Sequence, residues 1–406
     1  MARVISTLFC IFRAYYLDMR AQCAYLWETL NNHRYSCMTF DPSRPYNALP
    51  PLPPTKEVET KPVLKRCVSA GRALATLRQA AFLIPNQDVL INNIPLREAK
   101  DSSAIENIVT TTDKLFRFAS IDPEKADAAT KEALRYRTAL LSGYQDLHER
   151  PLTTNVAIGI CRAIKNVDLG IRQTPGTVLR NQTTGKTIYT PPEGEAVLRD
   201  KMANWEKFLH EATDIDPLIR MAVGHYQFEA IHPFPDGNGR TGRIINILYL
   251  IEQKLLDLPI LYLSRYINDN RTDYYRLLLE VTTKAAWEPW VLYMLTAVEE
   301  TAMWTVGKIE AIKSLMNETV RYVSKALPGL YSRELVELVF TQPYCRIGNL
   351  VDLGLGNRNT AAKYLKELAA GGILESRKEG REQLYINARF LDLLMRDENE
   401  FRAFGT

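Results

Sequence analysis

The sequence has no apolar run long enough to cross a bilayer, so no helical membrane span is expected. It has no C-x-x-C pair and no clustering of cysteine with histidine. Its six cysteines stand apart at positions 10, 23, 37, 67, 161 and 345, which argues against a disulfide framework and against a zinc site. Free thiols in a reducing compartment are the expectation. Charge of one sign is not in excess: 51 Lys and Arg against 47 Asp and Glu leave a net +4, which permits nucleic-acid contact without arguing for it. The phosphate loop G-x-x-x-x-G-K-[ST] is missing. The start, MARVISTLFCIFRAYYLDMR, has a short apolar stretch that Arg13 stops, and it lacks an A-x-A-like cleavage site. It is therefore not read as a signal peptide, and the cytoplasm is the expected location.

What is there is an ordinary globular composition, 46% hydrophobic and 24% charged over 406 residues, enough for two or three domains. Residues 1–37 read as an extension upstream of a true start at Met38, with an extra N-terminal helix as the alternative. The run Pro50–Pro54 cannot be helical and is expected to lie extended over a neighbouring surface. From about residue 60 to 325 the spacing is helical, for example in KEALRYRTALLSGYQDL and DPLIRMAVGHYQFEAI. One hairpin interrupts it, with arms Thr177–Arg180 and Lys186–Thr190 around NQTTG, closed by Pro191 and Pro192. After Leu330, three short helical segments split by Pro343 and Gly354 precede two alternating arms about a Glu-Gly turn. That order indicates a winged helix-turn-helix. The fold class expected is thus mainly α.

The chemistry is concentrated in HPFPDGNGRTGR, residues 232–243. Gly237-x-Gly239-x-x-Gly242 fits the dinucleotide fingerprint, but the preceding segment has helical spacing where a strand is required, so that reading fails. What remains is helix, glycine-rich turn, helix. The start of the second helix offers N–H groups and the positive end of its dipole to a phosphate. Gly237 and Gly239 allow close approach, and Arg240 and Arg243, three apart, can hold successive phosphates. Asp236 suits a Mg²⁺ that keeps most of its waters, and His232 can take a proton from an attacking hydroxyl. Phe234 is expected to point away and pack. A glycine-rich cap with solvent-facing arginines is the plainer alternative, and it leaves most of these roles unexplained.

The stretch resembles, position for position, the signature H-x-F-x-[DE]-G-N-G-R-x-x-R of the Fic-domain family of protein adenylyltransferases, and the likeness extends over most of residues 39–400. The resemblance implies an all-helical Fic core with a β-hairpin flap, and transfer of AMP from MgATP to a Ser, Thr or Tyr hydroxyl of a target protein. It implies His232 as general base, Asp236 on Mg²⁺, and Gly237, Asn238 and Gly239 as the anion hole. Arg240 and Arg243 would hold the outer phosphates, with Thr241 and Gly242 in the same nucleotide-binding stretch. Tyr275 falls where the family lines its adenine pocket, and Thr282 stands where some members carry asparagine. Ile188 and Tyr189, in the second arm of the flap, are assigned to the nucleotide. The flap itself would clamp the target's modifiable segment as an added strand.

Upstream, Ser102-x-x-x-Glu106-Asn107 fits [ST]-x-x-x-E-[GN], the inhibitory motif of the same family. Read alone, Ser103-Ala-Ile-Glu106 is also a capping box before an apolar run. The inhibitory reading has Glu106 pair with Arg243 and take the place of a γ-phosphate contact. Such a glutamate can also assist removal of AMP. The divisions expected are 1–37 extension, 38–110 N-terminal helical region with the inhibitory motif, 111–325 Fic core and 326–406 winged helix. Asn357-Arg358-Asn359-Thr360 opens the expected recognition helix, and Arg358, Lys363, Lys366, Arg377, Lys378 and Arg381 supply cations to the winged helix, diluted by Glu367, Glu375, Glu379 and Glu382, so DNA binding and protein contact both stay open. Auto-modification and a homodimer stay open too. The rival functions are a Fic enzyme with another phosphate-containing donor, and a DNA-binding or interaction regulator with a silenced core.

Overall fold

A computed structural model of the chain describes residues 40–181, 184–379 and 382–404. The expected extension over residues 1–37 lies outside the described residues, as do Arg381 of the expected wing and two residues of the hairpin turn. Among the described residues there are fifteen α-helices and two small antiparallel sheets, so the fold is mainly helical.

Helix α1 (Lys61–Ala81) begins with proline in its first turn, where the missing N–H costs nothing, and packs along α11 (Trp287–Ala326). Between them in sequence run α2 (Asp88–Ile105), α3 (Thr112–Ser120), α4 (Ala128–Asp146) and α5 (Thr154–Lys165). Next come the hairpin strands β1 (Leu179–Arg180) and β2 (Thr187–Tyr189), then α6 (Glu195–Glu211), α7 (Pro217–Ile231), α8 (Asn238–Glu252), α9 (Leu263–Asp269) and α10 (Arg271–Lys284). Helices α7 and α8 are buried on nearly every face. At Gly224 of α7 a Cβ would press on Leu209, and the close approach lets Trp205 Nε1 donate to the Gly224 carbonyl at 3.0 Å. The proline run lies across α6 and α7: Lys201 donates to the Leu49 carbonyl, Asn204 bonds both ways with Leu52, and Gln227 donates to the Pro50 carbonyl.

The C-terminal part holds α12 (Arg333–Thr341), β3 (Tyr344–Cys345), α13 (Ile347–Asp352), α14 (Arg358–Ala370), β4 (Glu375–Glu379), β5 (Glu382–Ile386) and α15 (Ala388–Met395). Its sheet has the order β3–β5–β4, all antiparallel. The sequence reading anticipates the three helices and two strands but not β3, which is two residues long and too short to show alternation, nor α15.

This part grips α2 directly. Asn93 Nδ2 donates to the Phe340 and Thr341 carbonyls, and Arg97 donates to the Leu394 and Arg396 carbonyls and to Asp397. The three described cysteines, Cys67, Cys161 and Cys345, are buried and unpaired. No helix among the described residues is long and apolar enough to cross a membrane.

Candidate active site

Helix α7 ends at Ile231, and His232 caps it at φ 51°, ψ 60°, a left-handed conformation that turns the chain sharply into the loop before α8. Phe234 is fully buried against Phe228 and anchors that loop. Asn238 ties the turn together: its Oδ1 accepts from Phe234 N–H and its Nδ2 donates to the Phe234 carbonyl, both at 2.8 Å. The Asn238 side chain thus braces the turn. Gly237 precedes α8 at φ 85°, and the N–H groups of Asn238, Gly239 and Arg240 have no intrahelical acceptor at this end.

Burial, then the nearby Arg172 charge, lower the His232 imidazole from 6.5 to about 4, against opposing pulls from Glu106, the Glu229 backbone and Asp236. The ring is therefore neutral at pH 7 and able to accept a proton. Arg172 also donates to the His232 and Ile231 carbonyls, fixing the end of α7.

Each arginine of the motif already has an anionic partner. Arg243, 1% exposed, donates Nε to Ser102 Oγ at 2.8 Å, and Nη2 to the Ser102 carbonyl and Glu106 Oε1 at 2.9 Å each. Arg240 donates to Glu132 Oε1 of α4 at 2.6 Å. A Cβ at Gly239 would run into Glu106 Oε1 and Arg243 Nη1, so the glycine is what admits the glutamate beneath the turn. The capping-box reading of Ser103–Glu106 does not survive: a capping box starts a helix, whereas α2 ends at Ile105 and Glu106 is its C-cap. Asn107 follows at φ 62°, with its N–H on the Ala104 carbonyl and that of Ile108 on the Ser103 carbonyl. The asparagine supplies the left-handed residue that ends the helix and presents Glu106.

Asp236 is 63% exposed; partial burial raises its carboxyl, but Lys165, the Gly237 N–H and Arg240 together hold it below the usual range. Its Oδ1 accepts from Gly237 N–H at 2.6 Å and its Oδ2 lies 2.5 Å from Lys165 Nζ. Among the described residues no group of three or more His, Cys, Asp or Glu could cage a metal. One ionised carboxylate at the mouth of a phosphate cradle nevertheless fits Mg²⁺, which is commonly held by one or two carboxylates plus substrate phosphates.

Other expected contacts are placed differently. Thr241 is completely buried beside Cys161, and Gly242 is a packing position where a Cβ would meet Glu229, His225 and Phe228. Tyr189 is a core residue: its ring packs on Phe40 and Tyr46 and its hydroxyl donates to the Ala230 carbonyl at 2.8 Å. All three are packed against the interior, and because α8 is buried nearly all round its periodicity does not separate one face from another at Thr241 and Gly242. Ile188 is half-buried. Tyr275 is 45% exposed, edge-on to Tyr274, with the Arg271 guanidinium over its ring and Arg271 also bonded to Asn107. The Thr282 hydroxyl is engaged with Tyr226 and the Leu278 carbonyl. The sequence reading missed Glu132, Lys165, Arg172 and Glu229. Glu229 is half-buried near Arg243, with its carboxyl pushed up to about 8 by desolvation. None of these four belongs to a recognisable spacing, and only the fold brings them to the turn.

A family model described as Fic/DOC family matches residues 151–250, one described as Fic/DOC family N-terminal matches 64–145, and one described as protein adenylyltransferase SoFic-like, C-terminal domain, matches 315–390. Together they cover more than half of the chain. A probable protein adenylyltransferase of Aquifex aeolicus is 33% identical over 103 residues, which cover 25% of this chain and 30% of that protein. Protein adenylyltransferase Fic of Drosophila melanogaster is 26% identical over 231 residues, 52% of this chain and 45% of that protein. The chain thus matches less than half the length of either relative. Among solved structures, a Fic family protein from Desulfovibrio desulfuricans is similar in fold, with TM-score 0.54 and 21% identity over 82% of this chain and 98% of that one.

Proposed function

The chain belongs to the Fic/DOC family, and from that premise we propose that it is a protein adenylyltransferase, moving AMP from MgATP to a Ser, Thr or Tyr hydroxyl of a target protein and restrained by Glu106. The observation that carries the reading is the buried Arg243 at the foot of the α8 cradle, held by Ser102 and by a Glu106 whose charge also reaches the neutral His232.

His232 takes the proton of the attacking hydroxyl as the oxygen closes on the α-phosphorus and pyrophosphate departs. Its depressed pKa keeps it unprotonated before attack, and the incoming phosphate charge raises its proton affinity when the proton must be held. The N–H groups of Asn238, Gly239 and Arg240 and the α8 dipole stabilise charge on the phosphates. Arg240 is held in place by Glu132 before substrate arrives, which limits the reorganisation it undergoes on binding, whereas Arg243 becomes available only as Glu106 withdraws. Mg²⁺ on Asp236 would neutralise phosphate charge when bound. Tyr275 offers an exposed ring for the adenine, and the β1–β2 hairpin offers an edge to which a target segment adds as a strand.

Glu106 competes for Arg243. While the carboxylate occupies it, the outer phosphate loses its cation and ATP lies in an unproductive pose. The C-terminal part is read as a winged helix serving protein contact or DNA. Auto-modification is the simplest first readout for a chain whose target is unidentified.

The test uses ATP labelled at the α or the γ position, with Mg²⁺ and the full chain carrying Glu106→Gly, alone and with His232→Ala. Label on protein from the α position only, lost with His232→Ala, is expected. Label from the γ position would mean phosphoryl transfer and would overturn the reading.

A further inference from the structure

Lys165, the last residue of α5, lies under the catalytic turn without belonging to the motif. A Cβ at Gly237 would meet Cys161 Sγ at 3.3 Å and the Lys165 side chain at 3.4 Å, so the lysine stem packs against the glycine. Its ammonium lies 2.5 Å from Asp236 Oδ2 and 3.1 Å from Glu132 Oε1, and that same Glu132 oxygen accepts from Arg240 at 2.6 Å. Charges therefore alternate along Asp236, Lys165, Glu132 and Arg240. The carboxylate open to a metal already carries a cation.

We propose that Lys165 holds the cation position on Asp236 while nucleotide is absent and passes to Glu132 when a Mg²⁺–nucleotide arrives. Lys165 is then a positioning residue that sets how much Mg²⁺ the site requires. The inference rests on the reading of Asp236 as the Mg²⁺ ligand. An ammonium and a divalent cation repel across a few ångströms, so they do not share one carboxylate without cost. The exchange needs no backbone movement, because Glu132 is already within reach. With the lysine in place, the empty site keeps Asp236 compensated, and an entering triphosphate meets a cation there instead of a bare carboxylate.

The test measures binding of a methylanthraniloyl-labelled, non-hydrolysable ATP analogue by fluorescence, as Mg²⁺ is titrated and again in excess EDTA. The full chain with Glu106→Gly is the parent, compared with added Lys165→Met, Lys165→Arg and Asp236→Asn. Lys165→Met keeps the stem that packs on Gly237. It is expected to lower the Mg²⁺ concentration at half-saturation about three- to fivefold, the scale of a partly exposed charge pair. It is also expected to weaken binding in EDTA, whereas Lys165→Arg stays near the parent. General loosening of the site would weaken both, so movement in opposite directions is the signature. An unchanged Mg²⁺ requirement in Lys165→Met, or weaker binding under both conditions, overturns the inference. Asp236→Asn is expected to raise the Mg²⁺ requirement; if it does not, the metal assignment itself fails and takes this inference with it.

Discussion

His232 sits half-buried in a left-handed backbone conformation, and desolvation together with the nearby Arg172 lowers its pKa to about 4. Two consequences follow at the scale of this residue. The dependence of kcat/KM on pH, which reports the free enzyme, should stay flat well below pH 6.5 and fall only as pH approaches about 4; an acid limb centred near 6.5 would contradict the neutral base. Stability moves the same way: the unfolded chain takes up this proton near 6.5 and the folded chain near 4, so folding stability is lost as pH falls through that window. The residues around His232 divide clearly by legibility. Asp236, the glycines and the arginines stand out in the sequence because their types are dense and chemically specific. Glu132 and Lys165 could not, since Glu132 reaches Arg240 across 108 positions of sequence and nothing in its own neighbourhood marks it. Asn238 was legible as part of the motif but not as the brace its side chain makes.

Helix α2 ends where Glu106 must be presented, and the way it ends explains a pattern that the sequence states without a reason. The residue after the glutamate is left-handed, so glycine or asparagine is what the position accepts. Asn107→Gly should leave stability within about 0.5 kcal/mol, as an exposed substitution with compatible backbone does. Asn107→Val should cost about 1–2 kcal/mol through left-handed strain, loosen the seat of Glu106 and raise basal transfer. Thermal unfolding and transfer assays on the two variants check this, and equal behaviour of Gly and Val would contradict it. Periodicity located the helices that flank the active turn because both are long. It could not assign faces on α7 and α8, which are buried nearly all round, so the packed environment of Thr241 and Gly242 was not legible in it.

Across the whole molecule, α2 links the two ends of the chain's chemistry. Asn93 and Arg97 towards its middle bind carbonyls of the C-terminal part, while Ser102 and Glu106 at its end bind Arg243. Lys308 of α11 reinforces the joint by donating to the Leu393, Arg396 and Glu398 carbonyls. Arg97→Ala removes charged hydrogen bonds from a buried position and should cost about 1.5–3 kcal/mol, seen as a lower Tm. It should also raise transfer in the wild-type background and leave transfer unchanged in the Glu106→Gly background, because it acts through the same brake; a gain in both would show that the joint does not act on Glu106. None of this long-range wiring was visible in the sequence, which gave the two regions separate signatures and no sign that one helix serves both. The central claim is that Glu106 withholds Arg243 from the nucleotide. The most direct measurement is the initial rate of α-label incorporation by wild type and by Glu106→Gly at saturating MgATP. A rate at least about tenfold higher in Glu106→Gly, the equivalent of roughly 1.4 kcal/mol, is the predicted result. Equal rates, with both proteins folded and both binding nucleotide, would contradict it.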